Sequence, residues 1–189
     1  MRFELFFKDL KGLRKVLDFY EKNTLYKVNI PCKAKLRRKL LEDAIAATTT
    51  RPHFQLTPHF SIAYEFDRTK ERTMKKLLTF MEKTHRDGVE EILLVSGSQK
   101  RKGLDSLSAL KEIAASSKNT TVRFGVAFNP YLPPDEMELE RKRLEEKVKT
   151  GLVSTVYLQF GTDLKKLKKE INALVSGSGN RFKIVGSVL

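Results

Sequence analysis

Residues 122–160 read VRFGVAFNPYLPPDEMELERKRLEEKVKTGLVSTVYLQF, and this stretch indicates the fold. The runs at its two ends, VRFGVAF and STVYLQF, are apolar on both faces, as strands of a parallel sheet covered by helices should be. Between them, Leu144 and Val148 stand four residues apart, which is the spacing of one face of a helix. A strand, a helix and a second strand in this order predict a βαβ unit with a right-handed connection.

The same alternation extends over the whole chain. Runs rich in β-branched and aromatic residues predict seven strands, at residues 3–7, 25–30, 54–63, 91–95, 121–128, 153–160 and 182–189. Six segments with helical spacing of apolar residues lie between them. Such strict alternation predicts an α/β fold, either a doubly wound open sheet or a (β/α) barrel of the TIM type. Because no linker or low-complexity tract divides the chain, we expect a single domain over residues 1–189.

Short-range signals predict where several helices begin and end. Capping side chains and helix-ending glycines stand at suitable places, namely Asp67 or Thr69 before the third helix, Thr162 or Asp163 before the sixth, Asp135 at the fifth, and Gly88 and Gly151 after helices. The stretch SGSGN at 176–180 predicts a loop between the last helix and the last strand.

Composition limits the classes of function. The chain of 189 residues has one cysteine, Cys32, which excludes an internal disulfide framework and a zinc site made only of cysteines. Its longest apolar stretches stay far below the roughly 20 residues that cross a bilayer, and its N-terminus does not have the pattern of a signal peptide. We therefore expect a cytoplasmic protein without a membrane partner.

The formal net charge of +14 favours an anionic partner without specifying it. Nucleic acid, a dinucleotide and a polyglutamate-type ligand all fit this charge. Basic clusters at 33–39 and 165–169 would form the outward faces of two helices. Since no recognised nucleic-acid motif accompanies them, nucleic-acid binding through these helices and ordinary solvated helix faces are both open.

Glu4 is the candidate acid among residues at the strand ends, where α/β proteins build their sites. It lies within an apolar run of phenylalanine and leucine. A carboxylate in such a run would be desolvated and would hold its proton more readily than one in water, which suits a general acid. The alternative is that Glu4 projects into solvent from an edge strand.

Polar groups stand at three further strand ends. His59 ends the third strand and could hydrogen-bond a ligand. After the fourth strand, Ser96, Gly97 and Ser98 form a turn of small residues followed by Lys-Arg-Lys, which could bind a phosphate or could be a solvated basic turn. Gln159, expected inside an apolar strand, needs a partner for its amide, and a ligand is one.

Taken in order, these strand ends resemble the methylenetetrahydrofolate reductase family. The most specific stretch is 122–163, where VRFGVAFNPYLPPD and KRLEEKVKTGLVSTVYLQFGTD are similar to the family's strand with its proline-rich loop, its helix ending at glycine and its strand with glutamine. The segments ELFF, TPHF and LLVSGS are similar to three further family motifs. The resemblance implies a (β/α) barrel that contains FAD and reduces methylenetetrahydrofolate to methyltetrahydrofolate with NADH or NADPH.

The resemblance also implies roles for individual residues. Glu4 would be the acid that activates the folate, and Gln159 would contact the folate. The residues expected beside the flavin cofactor are Asn29, His59, Ser96, Gly97, Ser98 and Asn129. No metal is implied.

The chain departs from the family where Ser98 replaces an aspartate, and where Asn129 and Pro133 replace a tyrosine and a histidine. The loss of the aspartate at Ser98 favours a second hypothesis, a non-catalytic relative that binds a folate or another anionic partner.

The sequence contains seven predicted strands, whereas the family's barrel has eight. The last run, 182–189, is apolar and carries a single charged residue, Lys183. We expect an incomplete barrel with a gap or a self-associated edge, and therefore a homo-oligomer as one expected partner.

Overall fold

The computed structural model describes residues 2–32, 38–97, 104–116, 122–178 and 182–186 of the chain. The strands are β1 (Phe3–Glu4), β2 (Lys27–Ile30), β3 (Gln55–Ser61), β4 (Glu91–Val95), β5 (Arg123–Phe128), β6 (Val153–Leu158) and β7 (Lys183–Val185). The helices are α1 (Leu10–Lys22), α2 (Arg38–Thr49), α3 (Ile62–Glu65), α4 (Lys70–Arg86), α5 (Ser106–Ala115), α6 (Pro134–Lys149) and α7 (Leu164–Ser178). The chain divides into two compact units, Met1–Leu104 and Asp105–Leu189. The expectation of a single domain over 1–189 stays a prediction.

In the first unit, β1 to β4 form parallel pairs in the order of the sequence. Glu4 pairs with Asn29, and Asn29 pairs with Thr57. Two residues further along β3, His59 pairs with Leu93. Because paired residues share a face of a parallel sheet and side chains alternate along each strand, these polar residues all belong to one face.

The opposite face of this sheet carries the hydrophobic core of the first unit. Ile30 and Phe60 are completely buried there, and the ring of Phe60 packs against Phe80 of α4 at a centroid distance of 5.4 Å. Leu13 and Leu17, four residues apart on α1, are also completely buried. Burying each such side chain contributes roughly 1.5–3 kcal/mol. The helices therefore cover one face and leave the polar face to the site.

In the second unit, β5, β6 and β7 form parallel pairs in sequence order. Phe124, Val126 and Phe128 alternate along β5 and are all buried. A bulge follows Phe124, since Phe124 pairs with Val153 and the next residue pairs with Thr155. On the other face of β5, Gly125 is buried as well, whereas Arg123 and Ala127 are exposed, so the second face is covered only in part.

Most of the predicted helix ends are confirmed. The Thr69 side chain accepts a hydrogen bond from a backbone N–H of the first turn of α4, and Asp163 does the same for α7. Gly88 and Gly151 follow α4 and α6 with φ angles of 84° and 75°, a region that favours glycine.

Three expectations about element boundaries are wrong. Asp135 does not cap α6, because Pro134 already begins the helix and Asp135 lies in its first turn, where its charge complements the helix dipole. The predicted strand 54–63 ends at Ser61, and its last two residues begin α3. The predicted loop 176–180 is wrong for 176–178, because α7 continues through Ser178; residues 179 and 180 lie outside the described residues.

Other expectations are met in part. The first strand is shorter than predicted, and β6 ends at Leu158 rather than at residue 160. Of the predicted last strand, Lys183–Val185 is a strand, while 187–189 lie outside the described residues. Residues 33–37 of the first basic cluster also lie outside the described residues. No helix within the described ranges is long and apolar enough to span a membrane.

Candidate functional site

Arg2 organises the polar face of the first unit. Its Nη1 atom lies 2.9 Å from Thr57 Oγ1 and 3.3 Å from Asn29 Oδ1, and it also faces the backbone oxygens of Val28 and Gln55 at 3.1 and 3.2 Å. Asn29 is 7% exposed, so its side-chain oxygen is engaged inside the protein. The contact between Asn29 and a flavin stays a prediction. Because Arg2 engages the side-chain oxygen of Asn29, the amide nitrogen would make that contact.

Glu4 stands beside Asn29 in the register of the sheet, but its side chain is exposed. The expected burial of this carboxylate is therefore wrong, and the alternative, an acid that projects into solvent, is confirmed. The physical reason lies in the alternation of β1: Leu5 is completely buried and Phe3 contacts Tyr20 of α1, so Glu4 belongs to the other face. The role of Glu4 as an acid stays a prediction.

The carboxyl ends of β3 and β4 meet around Gly97. Ser61, the last residue of β3, is 1% exposed, and its hydroxyl has no hydrogen-bond partner within the described residues. A Cβ atom added at Gly97, whose φ is +84°, would lie 2.9 Å from Ser61 Oγ and 2.6 Å from Ala63 Cβ. The backbone N–H of Ala63 donates to the carbonyl oxygen of Ser96 at 3.0 Å, which fixes the turn.

The phosphate-binding role of the turn that contains Gly97 stays a prediction. Ser96 and Gly97 stand where predicted, and His59 is two residues before Ser61 on the same face of β3. Ser98 lies outside the described residues. Ser61 is not among the predicted site residues, although a serine at the end of an apolar strand is a polar group that needs a partner.

A cleft of about 340 Å³ lies at the carboxyl ends of β5 and β6 in the second unit. It is lined by Asn129, Tyr131, Gln159, Phe160, Gly161, Thr162, Asp163 and Lys166. The structure thus brings together Asn129 and Gln159, which the resemblance assigns to the flavin and to the folate respectively. The contact of Asn129 with a flavin stays a prediction. Gln159 follows the end of β6 and is exposed, so the expectation of an amide inside an apolar strand is wrong. Its backbone N–H donates to Phe128 O at 2.9 Å, which orients the residue toward the cleft wall.

Tyr131 braces the loop that holds Asn129. The backbone N–H of Tyr131 donates to Asn129 Oδ1 at 3.0 Å, and the Tyr131 hydroxyl donates to the carbonyl oxygen of Gly161 at 3.1 Å. The Asn129 N–H faces Glu140 Oε1 at 3.4 Å. The oxygen of the Asn129 side chain is thus used by the loop itself, and sequence analysis missed this function of Tyr131.

Lys166 supplies the positive charge of the cleft. It stands in the first turn of α7, where Asp163 Oδ1 accepts a hydrogen bond from its backbone N–H at 3.0 Å. Its Nζ atom lies 3.5 Å from Leu132 O, at the limit of hydrogen-bond distance. An anionic group that entered the cleft would meet this ammonium group.

The surroundings of Cys32 disfavour a reactive thiolate. Burial, together with the negative charge of Glu65, raises the pKa of its thiol. A thiol with a raised pKa is a weak nucleophile at neutral pH. Within the described residues, no group of three or more histidine, cysteine, aspartate or glutamate side chains is placed to hold a metal ion.

Comparison with known proteins identifies the fold. No protein-family model matches the chain, and no curated protein matches its sequence. Among solved structures, it is similar to a protein from Coccidioides immitis attributed to the dihydrodipicolinate synthase family, with a TM-score of 0.63 and 13% identity over 99% of this chain and 60% of that one. It is also similar to a protein from Burkholderia cenocepacia attributed to the phosphonomutases, with a TM-score of 0.56 and 12% identity over 93% and 68% of the two chains. For 3-keto-D-glucoside 4-epimerase from E. coli, the TM-score is 0.55 and the identity 12%, over 95% and 79%.

Likeness at such low identity shows the fold alone. The chain spans 60% of the length of the first of these structures. Its described residues contain seven strands, whereas eight close a barrel of this type. The chain is an α/β protein of the (β/α) barrel type, which the alternation of strands and helices in the sequence predicts.

Proposed function

We propose that the chain is a divergent relative of the methylenetetrahydrofolate reductase family and binds a folate-type ligand in the cleft of its second unit. The observation that supports this most is that Asn129 and Gln159 line one cleft together with the aromatic rings of Tyr131 and Phe160. Amide groups hydrogen-bond the edge of a planar heterocycle, and aromatic rings pack against its face. A pterin ring presents both kinds of surface.

Lys166 suits the other end of such a ligand. A folate carries a glutamate whose carboxylates are negative at neutral pH. The present contact of Lys166 Nζ with Leu132 O is long and involves an uncharged acceptor, so a carboxylate would compete with it successfully. The substrate class of the proposal is therefore a pterin with an anionic tail.

The proposed reaction is the flavin-dependent reduction of a folate one-carbon substrate with NADH or NADPH. One observation supports a cofactor at the carboxyl ends of β3 and β4, since the Ser61 hydroxyl is buried there without a partner in the described residues. His59, Ser96 and Gly97 would hold FAD there, with Asn29 and Ser98 as further contacts, and bound FAD would supply hydride transfer. Glu4 stays the general acid that the resemblance implies.

A non-catalytic binder is the second candidate. Two observations favour it: Glu4 is exposed, and Asn29 Oδ1 is engaged by Arg2. The structural neighbours do not decide between the candidates, because one fold supports many different reactions. A cytoplasmic location belongs to the same proposal and is supported by the free cysteine.

Glu4→Gln separates the two candidates. If Glu4 is the acid, the variant keeps its affinity for methyltetrahydrofolate while flavin-dependent turnover of NADH or NADPH falls by about 100-fold. Glu90→Gln, at an exposed glutamate just before β4, is the matched control and should keep full activity. Folate binding by a parent protein that consumes no reduced nicotinamide in the presence of FAD would make the binder the correct function.

A further inference from the structure

The surface of α1 carries an aromatic groove that the proposed folate site does not use. The groove has a volume of about 310 Å³ and is lined by Phe6, Lys15, Val16, Phe19 and Tyr20. Phe6 is 62% exposed and Phe19 is 59% exposed. Exposed phenylalanine rings that line one groove mark an interaction site more often than an ordinary surface.

Tyr20 forms the rigid floor of this groove. Its ring packs edge-on against Phe3 at a centroid distance of 5.6 Å, and its hydroxyl contacts the backbone oxygen of Glu4 at 3.4 Å. The ring of Phe19 lies 6.1 Å from that of Tyr20 in a tilted arrangement. The groove therefore presents ring surfaces whose floor is fixed by the sheet and whose rim is open to solvent.

Basic side chains follow the same face of α1. Lys11, Lys15 and Phe19 are spaced four residues apart, which places them in one row on the helix surface. Lys8 stands before the helix and Lys22 at its end, and all four lysines are exposed. Within the described residues, no carboxylate forms an ion pair with any of the four.

The acidic residues of α1 do not cancel this charge. Asp18 and Glu21 both bind Arg51, at 2.6 and 2.9 Å, so that their charges are already matched. Asp9 caps the helix through the backbone N–H of Gly12. The groove is thus an aromatic surface beside a row of unmatched positive charges.

We propose that this groove binds single-stranded nucleic acid, with a base against Phe6 and Phe19 and the phosphates along Lys11 and Lys15. Bases stack on exposed aromatic rings, and a basic row beside the rings follows the backbone of the strand. As the occupant of this groove, a second copy of the chain is disfavoured, because the lysines of the groove would meet a chain with a net charge of +14. An anionic membrane surface fits less well, since the rings line a concave groove.

Fluorescence anisotropy with a labelled single-stranded oligonucleotide tests the proposal. We expect binding whose logarithmic association constant falls linearly with the logarithm of salt concentration, by about 0.7 for each phosphate contact. Lys11→Glu and Lys15→Glu should weaken binding and reduce this slope. Lys168→Glu, the same charge change on α7 of the second unit, is the control and should have a smaller effect. Equal loss in all three variants would overturn the proposal in favour of general charge attraction.

Substitutions of Phe19 test the stacking directly. Phe19→Trp should keep the affinity, because indole also stacks, whereas Phe19→Leu should reduce it by roughly 5- to 100-fold, the range expected for loss of one stacked base. Since Phe19 is exposed, both variants should melt within a few degrees of the parent. Unchanged affinity of Phe19→Leu, or binding to phosphatidylserine vesicles without binding to the oligonucleotide, would overturn the proposal.

Discussion

Tyr131 lies directly against Gly161: a Cβ atom added at Gly161 would be 2.3 Å from the tyrosine ring, and the tyrosine hydroxyl donates to the Gly161 carbonyl oxygen at 3.1 Å. This contact joins the loop after β5 to the loop after β6. The first loop carries Asn129 and the second follows Gln159. The shape of the proposed folate cleft therefore depends on a glycine that leaves room for an aromatic ring.

We expect Gly161→Ala to lower the free energy of unfolding by about 1–3 kcal/mol, because the added methyl group overlaps the Tyr131 ring. Removing the ring as well should relieve the overlap, so that Gly161→Ala costs much less in a Tyr131→Ala background. Urea denaturation of the two single variants and the double variant measures this coupling. Additive effects would show that the ring and Gly161 do not touch in solution.

Ser61→Ala should stabilise the protein by about 1 kcal/mol, because it removes a buried hydroxyl that finds no hydrogen-bond partner among the described residues. Thr57→Val is the matched control on the same face of β3. The Thr57 hydroxyl contacts Arg2 at 2.9 Å and Glu91 at 3.4 Å, so this variant should lose about 1–3 kcal/mol. In thermal unfolding, the midpoint of Ser61→Ala should lie above that of the parent protein, and the midpoint of Thr57→Val should lie below it. A destabilised Ser61→Ala would mean that the hydroxyl has a structural partner.

Arg141 and Glu170 join α6 and α7. The guanidinium group binds both carboxylate oxygens, at 2.8 and 2.5 Å, and Glu170 is 4% exposed. Arg141→Ala should cost about 3 kcal/mol, because it leaves a buried carboxylate without its partner. Replacing both residues by apolar ones, as Arg141→Met with Glu170→Leu, should recover most of that loss. Chemical denaturation decides the matter, and a double variant as unstable as Arg141→Ala would contradict this explanation.

Asp105 should make the second unit sensitive to acid. Burial by itself would raise the pKa of this carboxyl group, but hydrogen bonds from Ser108 and the charges of Arg143 and Lys147 outweigh burial and lower the pKa. A lowered pKa in the folded state gives stability that is fully present above the unfolded value of about 3.9 and is lost as the pH falls below it. At pH 7 the thermal unfolding midpoint of the parent should lie above that of Asp105→Asn. The difference between the two midpoints should shrink as the pH is lowered to 2.5. A difference that stays constant with pH would exclude this linkage.

The fold could be predicted from the sequence because burial leaves a clear pattern. The runs around Phe60 and Phe124 are apolar, and both side chains are completely buried. The same property explains the error at the end of β3. Ile62 and Ala63 are buried as fully as strand residues, yet they lie in α3, and hydrophobicity reports burial rather than backbone geometry.

For the candidate site, the sequence predicts which residues stand at strand ends, but it does not predict their contacts. Asn129 and Gln159 were found because strand ends mark sites, and the structure places both at one cleft. The network of Arg2 could not be predicted, because its hydrogen bonds reach as far as Thr57, 55 residues away in the sequence. The exposure of Glu4 was misjudged for a related reason, since its neighbours in the sequence are apolar but face the opposite side of the sheet.

Calorimetric titration of the purified chain with methyltetrahydrofolate tests the central claim most directly. We predict a single site with a dissociation constant of tens of micromolar or tighter, which corresponds to about −6 kcal/mol or better. Gln159→Ala should weaken the binding by about tenfold through loss of one amide contact, while Gln55→Ala, on an exposed residue of the first unit, should leave it unchanged. The absence of binding to the parent chain at these concentrations, or equal affinity of the parent and Gln159→Ala, would contradict the assignment of this cleft to a folate-type ligand.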